Sequence, residues 1–333
     1  MSSHVLVTGG AGFIGSHLAR RLLARGERVT VLDDFNDFYD PARKRANVLG
    51  LARAAGFALV EGDIRDGAAV DRLFAAQGFD AVVHLAARAG VRPSLREPVL
   101  YEEVNCIGTL HLLEAARRHG PRVFIFGSSS SVYGVNRKVP FGEDDEVNQP
   151  ISPYATTKRT GELLCFNYHH LYGLRTACLR FFTVYGPAQR PEMAIHKFTD
   201  LLARGRPVTL YGDGRSRRDY TYVDDIVDGV VAALDLAPGF EILNLGGAET
   251  TALADLVAWL AAELAVEPRI EYLPDQPGDV PITYADVSKA ARLLGYRPQV
   301  PIREGLRRFV AWYRERAGAA PDAPTHQLAS GSG

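Results

Sequence analysis

The feature that most constrains this chain is a glycine turn set between an apolar strand and a helix at its start, His4-Val-Leu-Val-Thr-Gly-Gly-Ala-Gly-Phe-Ile-Gly15. Residues 16–25 continue as a helix with Leu18, Leu22 and Leu23 on one face. Gly9 and Gly10 suit a tight turn at positive φ, Gly12 lets the backbone approach a ligand, and Gly15 lets the helix pack close to the strand. Phe13 and Ile14 sit at the first helical turn, where unpaired N–H groups and the positive end of the helix dipole favour an anion. The next unit, Arg28-Val-Thr-Val-Leu-Asp33, is a second strand ending in a carboxylate. Strand, glycine turn, helix, strand and terminal acid together make a cradle for a dinucleotide. Asp33 accepts hydrogen bonds from a ribose diol and repels a 2′-phosphate, so the expected cofactor is NAD.

Beyond Asp33 the first half keeps alternating. Helices are predicted over 41–55, 68–77, 99–118 and 154–172, and strands over 58–61, 81–85, 122–126 and 176–182. Strands joined by helical crossovers form a parallel sheet covered on both faces, so the fold class is α/β, a Rossmann-type doubly wound parallel sheet. From Gly186 the pattern loosens: helices around 194–204, 253–264 and 302–316 are separated by irregular segments such as 274–281. This reads as a smaller C-terminal substrate lobe. The division expected is 1–185 for the dinucleotide domain and 186–316 for the lobe, with 223–245 returning to the first domain and 317–333 a disordered tail rich in Ala, Pro, Ser and Gly.

A net charge of −1 over 333 residues gives no electrostatic reason to expect nucleic acid or an anionic membrane as partner. No apolar run is long enough for a membrane span, and the start of the chain has no charged-then-apolar leader pattern, so a cytoplasmic location is expected. Cys106, Cys165 and Cys178 lie in apolar helix or strand patterns with no paired spacing and read as small core residues. His169-His170 has no third ligand in view, so no metal is expected.

The chemistry is expected after the fifth strand. Gly127-Ser-Ser-Ser-Ser-Val-Tyr-Gly134 puts hydroxyls at the carboxyl end of a strand, where open α/β sheets bind ligands. Tyr154 and Lys158 then follow four apart, on one helix face. A free phenol with a pKa of about 10 is a poor base, but a nearby ammonium favours its ionised form. A serine hydroxyl beside it orients or shares the proton. The set suits removing a proton from an alcohol as hydride leaves the same carbon. Taken alone, Tyr-x-x-x-Lys is also what an exposed helix pair looks like; the cradle and the serine-rich strand end favour the site.

Three stretches, Thr8-Gly-Gly-Ala-Gly-Phe-Ile-Gly15, Ser129 with Tyr154 and Lys158, and Arg218-Asp-Tyr-Thr-Tyr-Val-Asp224, resemble the extended short-chain dehydrogenase/reductase family of nucleotide-sugar epimerases and dehydratases. The resemblance runs from about 5 to 316. It implies a bound NAD that takes hydride from a sugar carbon and returns it. By motif, it places Asp33 on the adenosine ribose, Asp63 and Ile64 on the adenine, and Leu85, Ala86, Ala87, Asn105 and Phe181 along the cofactor. Gly9, Gly12, Phe13, Ile14 and Gly15 hold the pyrophosphate, and Lys158 the nicotinamide ribose. Arg218 and Asp279 are implied to contact the sugar nucleotide, Ser129 to be the catalytic serine and Ser131 the second hydroxyl, with Ser130 beside them. The family also implies a homodimer, built on helices 99–118 and 154–172.

Departures within the family narrow the reaction. Similar dehydratases and decarboxylases carry an acidic residue just before Val-Tyr-Gly; here it is Ser131. The carboxylates of Glu143-Asp-Asp-Glu146 read as a solvated loop. Epimerisation without elimination remains. Asp33-Asp-Phe-Asn36 with Tyr39-Asp40, Ala89-Gly-Val-Arg92, Arg180-Phe-Phe-Thr-Val-Tyr-Gly-Pro187, Arg190-Pro-Glu-Met193 and Gln276-Pro-Gly-Asp-Val280 are similar to UDP-glucuronate 4-epimerases. Gln189 departs from them, because glycine is usual there. The resemblance implies Arg190 as a clamp for a uronate carboxylate, with Thr183 beside it; Arg92 is either a substrate contact or a surface residue. Two alternatives stay open: a UDP-glucose 4-epimerase, with Arg190 on the surface, and a non-catalytic NAD-binding regulatory protein.

Overall fold

The apolar strand runs build the centre of the protein. A computed structural model describes residues 3–274 and 280–319. In chain order the first half comprises β1 (His4–Thr8), α1 (Phe13–Ala24), β2 (Arg28–Asp33), α2 (Pro41–Leu49), β3 (Phe57–Glu61), α3 (Gly67–Gln77), β4 (Ala81–His84), α4 (Val91–Arg96) and α5 (Pro98–Glu102). After a π-helical turn, Glu103–Ile107, come α6 (Gly108–His119), β5 (Val123–Ser129), a 3₁₀ turn (Ser130–Tyr133), α7 (Pro153–Tyr172), β6 (Thr176–Phe181) and β7 (Thr183–Tyr185). The remainder is α8 (Ala194–Ala203), β8 (Val208–Tyr211), β9 (Arg217–Arg218), β10 (Tyr220–Tyr222), α9 (Val223–Leu236), β11 (Phe240–Leu245), β12 (Thr251–Ala252), α10 (Leu253–Leu264), β13 (Ile270–Leu273), α11 (Ser288–Leu294) and α12 (Ile302–Ala319).

Seven strands form one sheet in the order β11-β6-β5-β4-β1-β2-β3, every neighbouring pair parallel. The order reverses between β1 and β4, which opens a crevice above their carboxyl ends. Alternation within each strand divides the core between the two faces. Val5, Val7, Val29, Val31, Val83, Ile125 and Leu179 pack with α1 and α9. Leu6, Leu32, Val82, Phe124, Phe126 and Cys178 pack with α3, α6 and α7. Both faces are covered, so β1, β4 and β5 are buried along their whole length. The Rossmann-type doubly wound sheet expected from the alternation is the fold observed.

Several boundaries differ from the sequence expectation for local reasons. The helix predicted over 99–118 is divided by the π turn, which turns Asn105 inward so that its amide meets the Arg88 backbone and Thr157. The helix predicted over 41–55 stops at Leu49, before Gly50. β5 runs on through Ser129, three residues past its predicted end, because β6 pairs with Ser128 and Ser129. β11 joins the main sheet beside β6, and α9 packs on α1. α7 starts where it must: Ser152 Oγ accepts from Ala155 N at 3.1 Å, Pro153 holds the first turn, and Gly173 ends the helix at φ 70°. Asp279, Gln276 and the tail from 320 lie outside the described residues.

Candidate active site

Above the carboxyl ends of the strands lies a cavity of about 380 Å³, within the range that holds small molecules and cofactors. One end is made by the turn after β1. Gly9, at φ 66°, touches the backbone of Leu85 and Ala86 so closely that a Cβ would lie 2.7 Å from Ala86 N. A Cβ on Gly15 would lie 2.3 Å from Gly9 O. Helix α1 therefore begins hard against its own turn, and its N-cap, Gly12, offers no side-chain acceptor to the first N–H groups. Those groups face the cavity, lined here by Gly9, Gly12, Phe13, Ile14 and Gly15.

Asp33 closes β2 beside that turn. Its Oδ2 accepts from Ala11 N at 3.1 Å and its Oδ1 from Phe35 N at 3.0 Å. Lys44 Nζ stands 3.7 Å from Oδ1. Burial pushes the Asp33 carboxyl upward, and Lys44 and the two backbone N–H groups oppose it. Each oxygen keeps lone-pair capacity toward the cavity, which a ribose diol can fill. Asp63, held by Arg65 at 2.6 Å, and Ile64 line the same end.

The other end is assembled from segments far apart in sequence. Ser129, Ser130, Ser131, Tyr154, Lys158, Phe181, Thr183 and Arg190 line it, with Leu85, Ala86 and Ala87 along the wall between. Lys158 Nζ donates to Gly127 O at 2.7 Å and lies 5.0 Å above the Phe126 ring. Gly161 one turn on admits that ring: a Cβ would meet it at 2.2 Å. Burial pulls Lys158 down to about 8. The Tyr154 phenol is raised by burial, against which a Ser129 hydrogen bond and then the charge of Arg190 act. The sequence expectation has Lys158 act on Tyr154 beside a serine; its ammonium gives one of its three N–H groups to Gly127 O, and Ser129 and the charge of Arg190 act on the phenol. Ser129 Oγ also reaches Ser131 Oγ at 3.2 Å.

Three expected site residues stand outside the cavity wall. Asn105 uses its amide on Arg88 N, Arg88 O and Thr157 Oγ1, at 2.8, 3.0 and 2.9 Å, so it braces the wall from behind. Arg92 lies over the Tyr211 ring at 5.2 Å. Arg218, on β9, donates to Arg217 O. Glu143 and Asp145, expected in a solvated loop, are engaged instead: Glu143 accepts from Asn244 N at 2.8 Å, and Asp145 accepts from Gly142 N and Asn136. Neither lines the cavity. His169 pairs with Leu174 O, and among the described residues no cluster of metal-ligating side chains occurs.

The sequence resemblance includes 34–36 and 39–40 but gives them no place in the site; the fold brings Asp34, Asn36, Phe38 and Tyr39 over the cavity, together with Lys44 on α2, which the sequence reading did not name. Phe38 lies between two guanidinium groups, Arg88 at 5.7 Å and Arg190 at 5.6 Å. Two polar residues, Lys44 and Asn47, on the inward face of α2 were the available signal.

Residues 5–246 match the family described as NAD dependent epimerase/dehydratase. The chain belongs to that family. The chain is 43% identical over 93% of its length, and 75% of the relative's, to UDP-glucuronate 4-epimerase 4 of Arabidopsis thaliana. It is 42% identical over 94% of its length, and 96% of the relative's, to the UDP-glucuronate 4-epimerase of Thermodesulfobacterium geofontis. Among solved structures it resembles UDP-glucuronic acid 4-epimerase from Bacillus cereus, in complex with UDP-glucuronic acid and NAD. That match has a TM-score of 0.89 and 36% identity, over 94% of this chain and 99% of that one. The residues of this epimerase-family chain fit NAD: an uncapped helix start and glycine backbone suit a pyrophosphate, and Asp33 suits an unphosphorylated ribose.

Proposed function

We propose that this NAD-dependent epimerase interconverts UDP-glucuronate and UDP-galacturonate by inverting C4. The observation that carries the substrate choice is Arg190, whose guanidinium lines the same cavity end as Tyr154 and Thr183 and is held at 3.2 Å by Glu192 at the surface. A planar fork beside the base suits a sugar carboxylate, which it binds through two parallel hydrogen bonds. The relatives' names point the same way.

NAD, when bound, supplies the acceptor and later the donor of hydride at the sugar carbon. Tyr154 takes the proton of the 4-hydroxyl, and Ser129 orients that hydroxyl. Lys158 holds the cofactor's ribose and its positive charge beneath the site. Asp33 and the glycine turn fix the cofactor so that Tyr154 and the sugar meet. With C4 a ketone and C6 a carboxylate, the sugar is a β-keto acid, prone to lose CO2 when the breaking bond aligns with the carbonyl. Arg190, with Thr183, fixes the carboxylate's rotation out of that alignment. Ser131, where an acid would drive a further step, leaves the reaction at epimerisation. Arg218 is assigned to the diphosphate and Asp279 to the sugar nucleotide, as the resemblance implies.

The protein is further proposed to work as a homodimer. Val99 on α5, Ile107 in the π turn, and Leu163 and Phe166 on α7 expose apolar side chains on adjoining helices, which a second copy would cover. The free cysteines, two of them buried, suit a cytoplasmic location, and among the described residues no helix is long and apolar enough to cross a membrane. The 1–185 segment, with 223–245, is taken as the cofactor domain and the rest of 186–316 as the substrate lobe. Incubation with a panel of nucleotide sugars tests the assignment: UDP-glucuronate and UDP-galacturonate should interconvert with little UDP-pentose, and UDP-glucose should react far more slowly. Equal turnover of UDP-glucose would overturn it and favour the glucose epimerase.

A further inference from the structure

Glu162, on α7, is buried and accepts four hydrogen bonds. Its Oε1 receives Ser128 Oγ at 2.7 Å and Arg180 Nε at 2.8 Å; its Oε2 receives Arg180 Nη2 at 2.9 Å and Arg159 Nη1 at 3.0 Å. It stands four residues after Lys158, on the same helix face. The helix therefore fastens two successive residues of β5, Gly127 through Lys158 and Ser128 through Glu162, and the next residue is Ser129. Arg180 carries the cluster onward: its Nη1 donates to the Tyr133 hydroxyl at 3.0 Å, and Tyr133 donates to Asn244 Oδ1 at 2.7 Å. The 3₁₀ turn bearing Ser130 and Ser131 is thus held from below by the same groups.

A buried ion pair is a weak net stabiliser, because desolvation offsets much of the attraction. What a fully satisfied cluster fixes is geometry and field. We propose that Glu162 is a positioning residue for the reaction: through Ser128 on one side and Arg180 with Tyr133 on the other, it sets Ser129 opposite Tyr154. The proposal rests on the reading of Ser129, Tyr154 and Lys158 as the catalytic set.

The charged groups paired with Glu162 are Arg159 and Arg180. Burial works to raise the Glu162 carboxyl, but the hydrogen bond and charge of Arg180 outweigh it, so Glu162 is ionised at neutral pH.

The test separates kcat from KM, measured with the UDP-sugar that the parent protein turns over. In Glu162→Gln, kcat should fall by about 10-fold or more, the scale of a small misplacement of reacting groups, with KM within about twofold of the parent and NAD still retained. Ser128→Ala, which cuts one of the two ties, should lower kcat in the same way and by less. Should Glu162→Gln fail to fold, because Arg180 is left unpaired, Glu162→Gln/Arg180→Gln removes that charge as well and should show the same fall in kcat at unchanged KM. A kcat within about twofold of the parent in whichever of these folds, or a fall in kcat that comes only with a raised KM or lost NAD, overturns the proposal. Near-normal turnover of Lys158→Met is a different failure, since it removes the catalytic set on which the proposal rests.

Discussion

The two ends of the cavity bind by different means. At the cofactor end the contacts are largely backbone, a glycine turn and the first N–H groups of α1, with the carboxylates of Asp33 and Asp63 at and just past the ends of the next two strands. At the sugar end they are side chains from β5, α7, β7 and the segment before α8, with Arg190 and Tyr154 brought together by the fold. A backbone site tolerates no added atoms, because the chain cannot move aside. A side-chain site tolerates substitution but changes what it accepts.

The largest effect tests the backbone end. Gly15→Ala forces a methyl onto Gly9 O, a contact that no rotamer relieves. It should abolish retention of NAD through purification, measured by acid release and chromatography; a variant that keeps its NAD would show the turn to be more pliant than its packing. Next comes the sugar end. Tyr154→Phe keeps the ring packed but removes the proton acceptor, so turnover should fall by about 10²-fold or more with NAD retained. Full turnover would place the base elsewhere.

Arg190→Ala should be milder and more selective. It should cost about 2 kcal/mol of uronate recognition in kcat/KM and divert some turnover to decarboxylation. Unchanged uronate kinetics would remove Arg190 from the clamp and narrow the contrast between the two ends.

The smallest effect concerns the floor between the ends. His84, buried between Thr8 and Thr109, is pulled down to about 3 by burial from the usual 6.5. Between those values the unfolded chain takes up a proton that the folded chain refuses. This contribution to stability is therefore complete above about pH 6.5 and is lost progressively as pH falls toward 3. Asp219, raised by burial to about 6, acts with opposite sign between 3.8 and 6, where the folded state binds the extra proton. Thermal melts between pH 7.5 and 5 should fall less steeply in His84→Gln than in the parent, by a few degrees at most. Parallel curves would show that His84 titrates normally.

How much was legible follows the same division. The doubly wound sheet could be read because buried parallel strands are unbroken apolar runs, and the cofactor end because a glycine turn and Asp33 lie in one local stretch. The serine, tyrosine and lysine set was legible as a spacing, but its electrostatics were not. The sequence suggested Lys158 and a serine as the groups acting on Tyr154; that the ammonium also ties to Gly127 O, and that the charge of Arg190 acts on the phenol, came from the fold. Asn105 was legible as a site residue, but the fold engages its amide with the Arg88 backbone and Thr157 behind the wall, pairings between residues far apart in the chain.

By itself the sequence determined the strand and helix alternation, the dinucleotide cradle and the residue types at the strand ends. All of these follow from short-range sterics, periodicity and the conformational freedom of glycine. The tertiary structure alone decided that segment 34–40 covers the cavity, that Phe38 lies between Arg88 and Arg190, and that Glu162 meets Ser128 and Arg180 beneath the site. Those pairings join residues far apart in the chain. No local preference encodes them; they are fixed when the sheet closes, its helices pack, and buried charges must find partners.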